Sequence, residues 1–249
     1  TLNKPIPFKN FFVYPVLMED YYNFQIASYC LLLEKNKIPD PKIISMTYLD
    51  FLYSIMRDDA EMSDVIKVSF FELFRICCHI EPQQLFFSTV NNKVQFVVNI
   101  DNLPKEELDI KLAVNGSDFN ELKTIILKQN IPTYDDTYID PKVEKALKEA
   151  QEFKNRRNNK KMFGLEKQII SVMISTPLTE EQIHKTTIRK FSMILEIVDK
   201  KLHYQIYKTG EMSGMVKFKE EINHWMIDDK KEKYADVIVD YDEIAKKII

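Results

Sequence analysis

The chain has 249 residues, of which 45% are hydrophobic, 29% charged and 12% aromatic, so it carries enough apolar side chain for a sizeable core. A formal net charge of -3 and a pI of about 5.9 exclude a whole-molecule attraction to nucleic acid or anionic membrane, leaving only local charge patches for such contacts. No run approaches the roughly 18 apolar residues of a membrane span, and the opening lacks the basic and apolar regions of a signal peptide. Three cysteines, two of them vicinal, form no even-numbered disulfide framework, so synthesis in a reducing cytoplasm is expected.

Phe11-Phe12-Val13-Tyr14 is a short apolar stretch stopped by Pro15, after which Asp20 is placed to cap a helix carrying Phe24, Ala27 and Leu31 as far as Leu33. Lys35-Asn36-Lys37 ends it, and Pro39 and Pro41 are read as barring helix across the next junction. Thr47-Tyr48-Leu49-Asp50 opens a helix through Met56, and Ser69-Phe70-Phe71-Glu72 reads as the capping box of another that carries Leu73, Ile76 and Cys77 and stops before Pro82.

At Leu85 the period changes to two. Val94, Phe96, Val98 and Ile100 alternate with polar residues, and Asn91-Asn92 supplies residues that tolerate positive φ, which predicts a hairpin. Leu108, Ile110, Leu112 and Val114 alternate in the same way and predict a third strand, stopped at Asn115-Gly116. Asp118-Phe119-Asn120-Glu121 then reads as the capping box of a helix bearing Leu122, Ile125 and Ile126, with Pro132 past its end.

Asp140-Pro141 starts a helix with Val143, Ala146, Leu147, Ala150 and Phe153 on one stripe. Residues 141–161 hold eight basic and three acidic residues, a local +5 in a chain of net -3. Beyond Gly164, residues 165–175 have helical spacing, Thr179-Glu180-Glu181-Gln182 caps a short helix, and Thr187 opens a long one through Tyr207 that Gly210 is expected to end. The fold class is therefore α+β: mostly helical, with a small three-stranded antiparallel sheet and a helical C-terminal region. The expected domains are 1–139, a charged helical connector at 140–164, and 165–249.

Reactive constellations are scarce. Cys77-Cys78-His79 has the residue types of a metal site, but adjacent helical side chains diverge by about 100° and the neighbourhood lacks two further ligands, so buried thiols are the expectation. His184, His203 and His224 have no metal-site spacing and read as surface or interface residues. With no nucleophile signature and only four glycines, none in a phosphate-binding loop, the chain reads as a non-enzyme with no cofactor and no metal.

Two segments have binding character. The run at 154–161 gives candidate phosphate contacts in Lys154, Arg156, Arg157, Lys160 and Lys161, although a solvated helix end explains such charge better in a neighbourhood poor in aromatic residues. The Met- and aromatic-rich stretch with Met212, Met215, Phe218, Ile222 and Trp225 is the candidate partner surface, or else a local core. Residues 179–195 also imitate a helix-turn-helix without its usual turn glycine, so a nucleic-acid-binding regulator using this pair and the basic connector is the alternative function.

Phe119-x-x-Leu122-x-x-Ile125-Ile126-x-x-Gln129-Asn130, Thr187-Ile188-Arg189-Lys190-Phe191, Tyr204, Ser213-Gly214, His224-Trp225, Tyr14-Pro15-Val16 and Asp20-Tyr21-Tyr22-x-Phe24 together resemble tail and baseplate assembly proteins of tailed bacteriophages, the nearest group being the baseplate hub and hub-assembly chaperone proteins of T-even-like phages. The resemblance implies a non-enzymatic role in building a tail. Its expected partners are other tail or baseplate proteins rather than nucleic acid or membrane, and its expected location is the host bacterial cytoplasm during assembly or the virion tail. The basic connector has no counterpart in that resemblance.

Overall fold

The computed structural model describes residues 2–35, 38–58, 61–101, 103–104, 110–134, 143, 146–147, 149–150, 164–214, 216–218 and 222–227. The chain divides into two compact units, one of Thr1–Asp135 with Leu178–Met193, the other of Asp136–Pro177 with Ile194–Ile249.

The first unit opens with an antiparallel hairpin of β1 (Ile6–Phe8) and β2 (Phe11–Val13), in which Phe8 pairs with Phe11 across a turn whose Lys9 has φ 50°. α1 (Tyr21–Ala27) and α2 (Tyr29–Leu32) deliver the expected Asp20–Leu33 helix in two pieces. Ser28, still right-handed at φ -69° and ψ -13°, joins them, and Asp20 precedes α1 without a side-chain capping bond. Pro41, read as a barrier, instead begins α3 (Pro41–Ser45), because proline's missing N–H costs nothing at the first helical position; the Asp40 carboxylate accepts the Lys42 N–H at 2.8 Å.

α4 (Tyr48–Arg57) starts at the expected cap, with Thr47 Oγ1 accepting the Asp50 N–H at 3.1 Å. α5 (Glu61–Cys78) begins more than two turns before the predicted capping box at Ser69, which lies buried in mid-helix. Tertiary burial of Ile66, Phe70, Leu73, Phe74 and Cys77 along one face outweighs the local signal at Ser69. The helix closes at His79, whose φ of 56° turns the chain so that Ile80 N–H reaches the Phe74 carbonyl at 3.2 Å.

β3 (Leu85–Val90) and β4 (Lys93–Val98) form the predicted hairpin, with Asn91 and Asn92 at φ 50° and 59°. The predicted third strand is a correction. Leu108 lies outside the described residues, Ile110–Leu112 is a single 3-10 turn and Val114 forms an isolated bridge to Phe96, so the described residues hold two two-stranded sheets instead of one of three. The reason lies one residue on: Asn115 is the N-cap of α6 (Gly116–Asn130), its Oδ1 accepting the Ser117 and Asp118 N–H groups, so the chain turns into helix after one ladder residue. Asp118, expected as the cap, is the reciprocal partner in that capping box. A Cβ at Gly116 would lie 2.6 Å from Thr47, so the starts of α4 and α6 approach as closely as glycine permits.

Phe70, Phe74, Phe96 and Phe119 fill the centre of this unit, each 1% exposed or less. The Phe74 and Phe96 rings meet edge-on at 5.3 Å, and Phe70 contacts Phe74 at 4.9 Å, geometries that add to the burial term. α8 (Glu180–His184) starts at the predicted Thr179–Gln182 capping box.

The second unit contains α7 (Leu165–Ser175), at its predicted bounds, with Ile169 and Val172 buried. α9 (Ile188–Met212) contributes its first six residues to the first unit and the rest to the second, and Gly210, expected as its stop, lies within it. The predicted helix from Asp140-Pro141 falls largely outside the described residues; the described positions 143, 146–147 and 149–150 are helical. Among the described residues no helix is long and apolar enough to cross a membrane.

Candidate interaction surface

Val16 and Leu17, with the 3-10 turn Met18–Asp20 that follows them, form a strap pinned on both sides. Val16 N–H donates to Asn130 Oδ1 at 2.8 Å, the Val16 carbonyl accepts the Ile188 N–H at 2.9 Å, and Met18 N–H donates to the Thr186 carbonyl at 2.8 Å. The strap thereby holds the end of α6, the start of α9 and the approach to α1 at one place. Asn130 completes the join through Nδ2, which donates to the Ile126 carbonyl at 2.9 Å.

From this point α1 and α2 lie against α5. Phe24, Ala27, Cys30 and Leu31 are 3% exposed or less and lock the inner face, while Ile66, Phe70 and Leu73 lock α5 from the same side. Both helices also carry apolar residues on their outer faces. Tyr22 at 63% exposure, Ile26 at 61% and Val65 at 51% line a groove of about 430 Å³ together with Gln25, Tyr29 and Ser69. Leu32, Met62 and Val68 extend the exposed apolar surface on the same helices.

A helix normally exposes a polar face to water, so the Tyr22–Ile26–Tyr29 spacing of four and three residues is a second apolar stripe beyond the one that packs inward. Ser69 Oγ, buried among these residues, has no hydrogen-bond partner among the described residues. Glu19 and Asp20 lie in the turn before α1, and α5 carries Asp64, Lys67, Glu72 and Arg75. Each of the two cations already meets a carboxylate of its own helix, Lys67 with Asp64 at 3.6 Å and Arg75 with Glu72 at 2.7 Å. The sequence marks Phe24, Ala27 and Leu31 as the apolar positions of this helix; a second stripe shows only once the face that α5 covers is known.

The residues proposed from sequence fall elsewhere. Met212 is 86% exposed; Met215 lies outside the described residues. Phe218 packs on Tyr207 at 5.5 Å between ring centroids. Trp225 and Ile222 are half-buried, and the Trp225 ring lies 5.4 Å from His224, which meets Tyr204 at 5.0 Å. Lys154, Arg156, Arg157, Lys160 and Lys161 lie outside the described residues.

In the helix-turn-helix imitation, Ile188 and Phe191 are buried and Arg189 Nη1 donates to the Lys128 carbonyl at 2.8 Å. The start of the second helix, which would have to enter a groove of DNA, is thus engaged in the first unit.

Groups with displaced pKa values are packed rather than presented. Burial pushes the Cys30 thiol up to about 12 and raises Cys77 and Cys78 as well; all three cysteines are buried and free. Burial likewise raises Tyr48, whose hydroxyl donates to the Cys30 carbonyl at 2.8 Å, and lowers Lys123 to about 8. The Lys123 ammonium lies 3.5 Å above the centre of the Tyr48 ring, which offsets part of its lost hydration. His184, His203 and His224 carry exposed or partly exposed rings on helices or turns, and among the described residues no three His, Cys, Asp or Glu side chains come together as metal ligands.

Residues 155–228 match the family model for the YomV second domain, which belongs to a phage-derived, Bacillus prophage-like protein family. The match spans less than a third of the chain and takes in α7, α8 and α9 as well as Trp225. No curated protein and no solved structure matches the chain.

Proposed function

We propose that this chain is a bacteriophage protein that acts without catalysis, through protein–protein contacts, in building a tail or baseplate. The observation that carries the reading is the apolar groove between α1–α2 and α5, combined with the similarity of residues 155–228 to a phage-derived domain. A monomer loses nothing by placing polar residues at Tyr22, Ile26 and Val65, so their exposure on two rigidly packed helices favours a surface meant to be covered. The displaced titratable groups support the same reading. Burial is the leading cause at Cys30, Cys77, Cys78, Tyr48 and Lys123, and they form no open acid–base pair.

The test is removal of the coding sequence from the phage or prophage that carries it, followed by induction and electron microscopy of the particles. Heads with absent or incomplete tails, restored by the wild-type chain supplied in trans, are expected. Normal tails and normal infectivity would overturn the assignment. Mass spectrometry of purified wild-type particles then separates a virion component from a protein that leaves after assembly.

A further inference from the structure

We propose that β3 pairs edge to edge with β3 of a second copy of this chain, extending the hairpin into a four-stranded antiparallel sheet about a two-fold axis at Ser88. The inference goes beyond the assembly role above and does not rest on it. In an antiparallel pair every second residue turns its N–H and C=O toward the neighbouring strand, and the residues between turn theirs away. Val90 and Lys93 flank the two-residue turn, so Val90, Ser88 and Phe86 face β4, while Thr89 and Phe87 face outward. The same alternation turns Val94 and Phe96 of β4 outward, and there the protein supplies partners. Val94 N–H donates to Asp50 Oδ1 at 2.7 Å, and Phe96 exchanges bonds with Val114 at 3.1 and 2.7 Å. The β3 edge is open by comparison: among the described residues no strand lies beside it, and the backbone N–H and C=O groups of Phe87 and Thr89 have no hydrogen-bond partner.

The strand is complementary to itself. Leu85-Phe86-Phe87-Ser88-Thr89-Val90 holds neither charge nor proline, two of the devices that keep exposed edges apart, whereas β1 carries Pro7. An axis at Ser88 sets Phe87 of each copy opposite Thr89 of the other, so the two open residues of both copies are satisfied together in four hydrogen bonds. Phe86 then faces Val90 of the second copy and Ser88 faces Ser88, which puts an aromatic ring against a β-branched side chain on both faces of the sheet and no like charges opposite each other. Moving the axis one residue either way pairs Thr89 with Leu85, whose N–H already bonds the Pro82 carbonyl, or Phe87 with Asn91, where φ is 50° and the strand has ended. Ser88, Thr89 and Val90 are exposed, so a second strand has access. A strand from another protein would satisfy the same backbone groups; the match of this strand with its own reverse is what favours a second copy.

The test is sedimentation equilibrium of the full chain over a wide concentration range, with amide exchange followed at low and high concentration. A monomer–dimer equilibrium is expected, and the Phe87 and Thr89 amides should exchange freely in the monomer and slow as the dimer fills. Thr89→Pro removes one outward N–H and leaves the β3–β4 ladder bonded, so the circular dichroism should hold while the dimer dissociation constant rises at least tenfold. Ser88→Lys and Ser88→Glu each put like charges across the axis and should also weaken the dimer at least tenfold, and an equimolar mixture of the two variants should restore it.

A chain that stays monomeric throughout, Phe87 and Thr89 amides already protected in the monomer, or a dimer insensitive to Thr89→Pro and Ser88→Lys overturns the proposal. So does a lysine–glutamate mixture that stays monomeric, since the axis then lies elsewhere or the edge takes a strand of another protein. Should Thr89→Pro disturb the fold, the exposed Ser88 variants decide the question by themselves.

Discussion

Asn130 and Val16 are joined by a hydrogen bond that spans 114 residues of sequence, from the Val16 N–H to the Asn130 side-chain oxygen at 2.8 Å. Asn130 is 1% exposed and ends α6, while Val16, 3% exposed, begins the strap that leads to α1. One amide thereby ties the end of α6 to the strap that leads to α1. Replacing it leaves a buried backbone donor without its partner. Asn130→Leu is expected to lower the unfolding free energy by about 2–3 kcal/mol, measured by urea denaturation; a change within error would mean that water replaces the amide.

Asp50 does two jobs with one carboxylate. Oδ2 accepts the Thr47 hydroxyl at 2.7 Å at the start of α4, and Oδ1 accepts the Val94 N–H at 2.7 Å from the hairpin. Asp50→Ala is expected to cost about 2–3 kcal/mol, the sum of a helix-start contact and a charged hydrogen bond to the backbone. Asp50→Asn keeps one acceptor and should cost less. Amide exchange at Val94 should accelerate in the alanine variant.

Lys123 gives a pH dependence whose sign follows from its burial. Its folded pKa of about 8 lies below the ordinary lysine value of 10.5, so the unfolded chain binds more protons between these values. Stability from this group therefore rises as the pH climbs from about 8 toward 10.5, and the penalty for holding the charge is present in full below about 8. Lys123→Met should flatten that slope and raise stability at pH 7 by about 1–2 kcal/mol, less than the full shift implies because the contact with Tyr48 is also lost. Unfolding curves from pH 7 to 10 on both proteins check it.

Cys30, Cys77 and Cys78 are buried, with thiol pKa values raised chiefly by burial. A thiol reagent should find almost no thiolate in the native protein at pH 8 and should titrate all three cysteines once the chain is unfolded. Rapid native labelling of any one of them would show that its helix opens locally.

Where an element's cause lies within a few residues, the sequence by itself determined it. Thr47 before α4, Asn91-Asn92 in the hairpin and the Thr179–Gln182 box before α8 stand as read, because capping and positive-φ turns are decided by side chains adjacent to the backbone they serve. The same holds for the burial of Cys77 and Cys78 in an apolar run.

Tertiary structure decided the rest. Alternation at 108–114 resembled a strand, but a strand needs a partner ladder, and with the cap at Asn115 the described part of that run meets β4 through the isolated Val114–Phe96 bridge. Ser69 resembled a helix start until packing carried α5 through it. The apolar groove was illegible for the same reason: Ile26 and Phe24 are both hydrophobic residues on one helix, and only the packing of α5 buries Phe24 to 3% while leaving Ile26 at 61%. Hydrophobicity states that a side chain prefers to leave water, whereas the geometry of neighbouring elements decides which of them can.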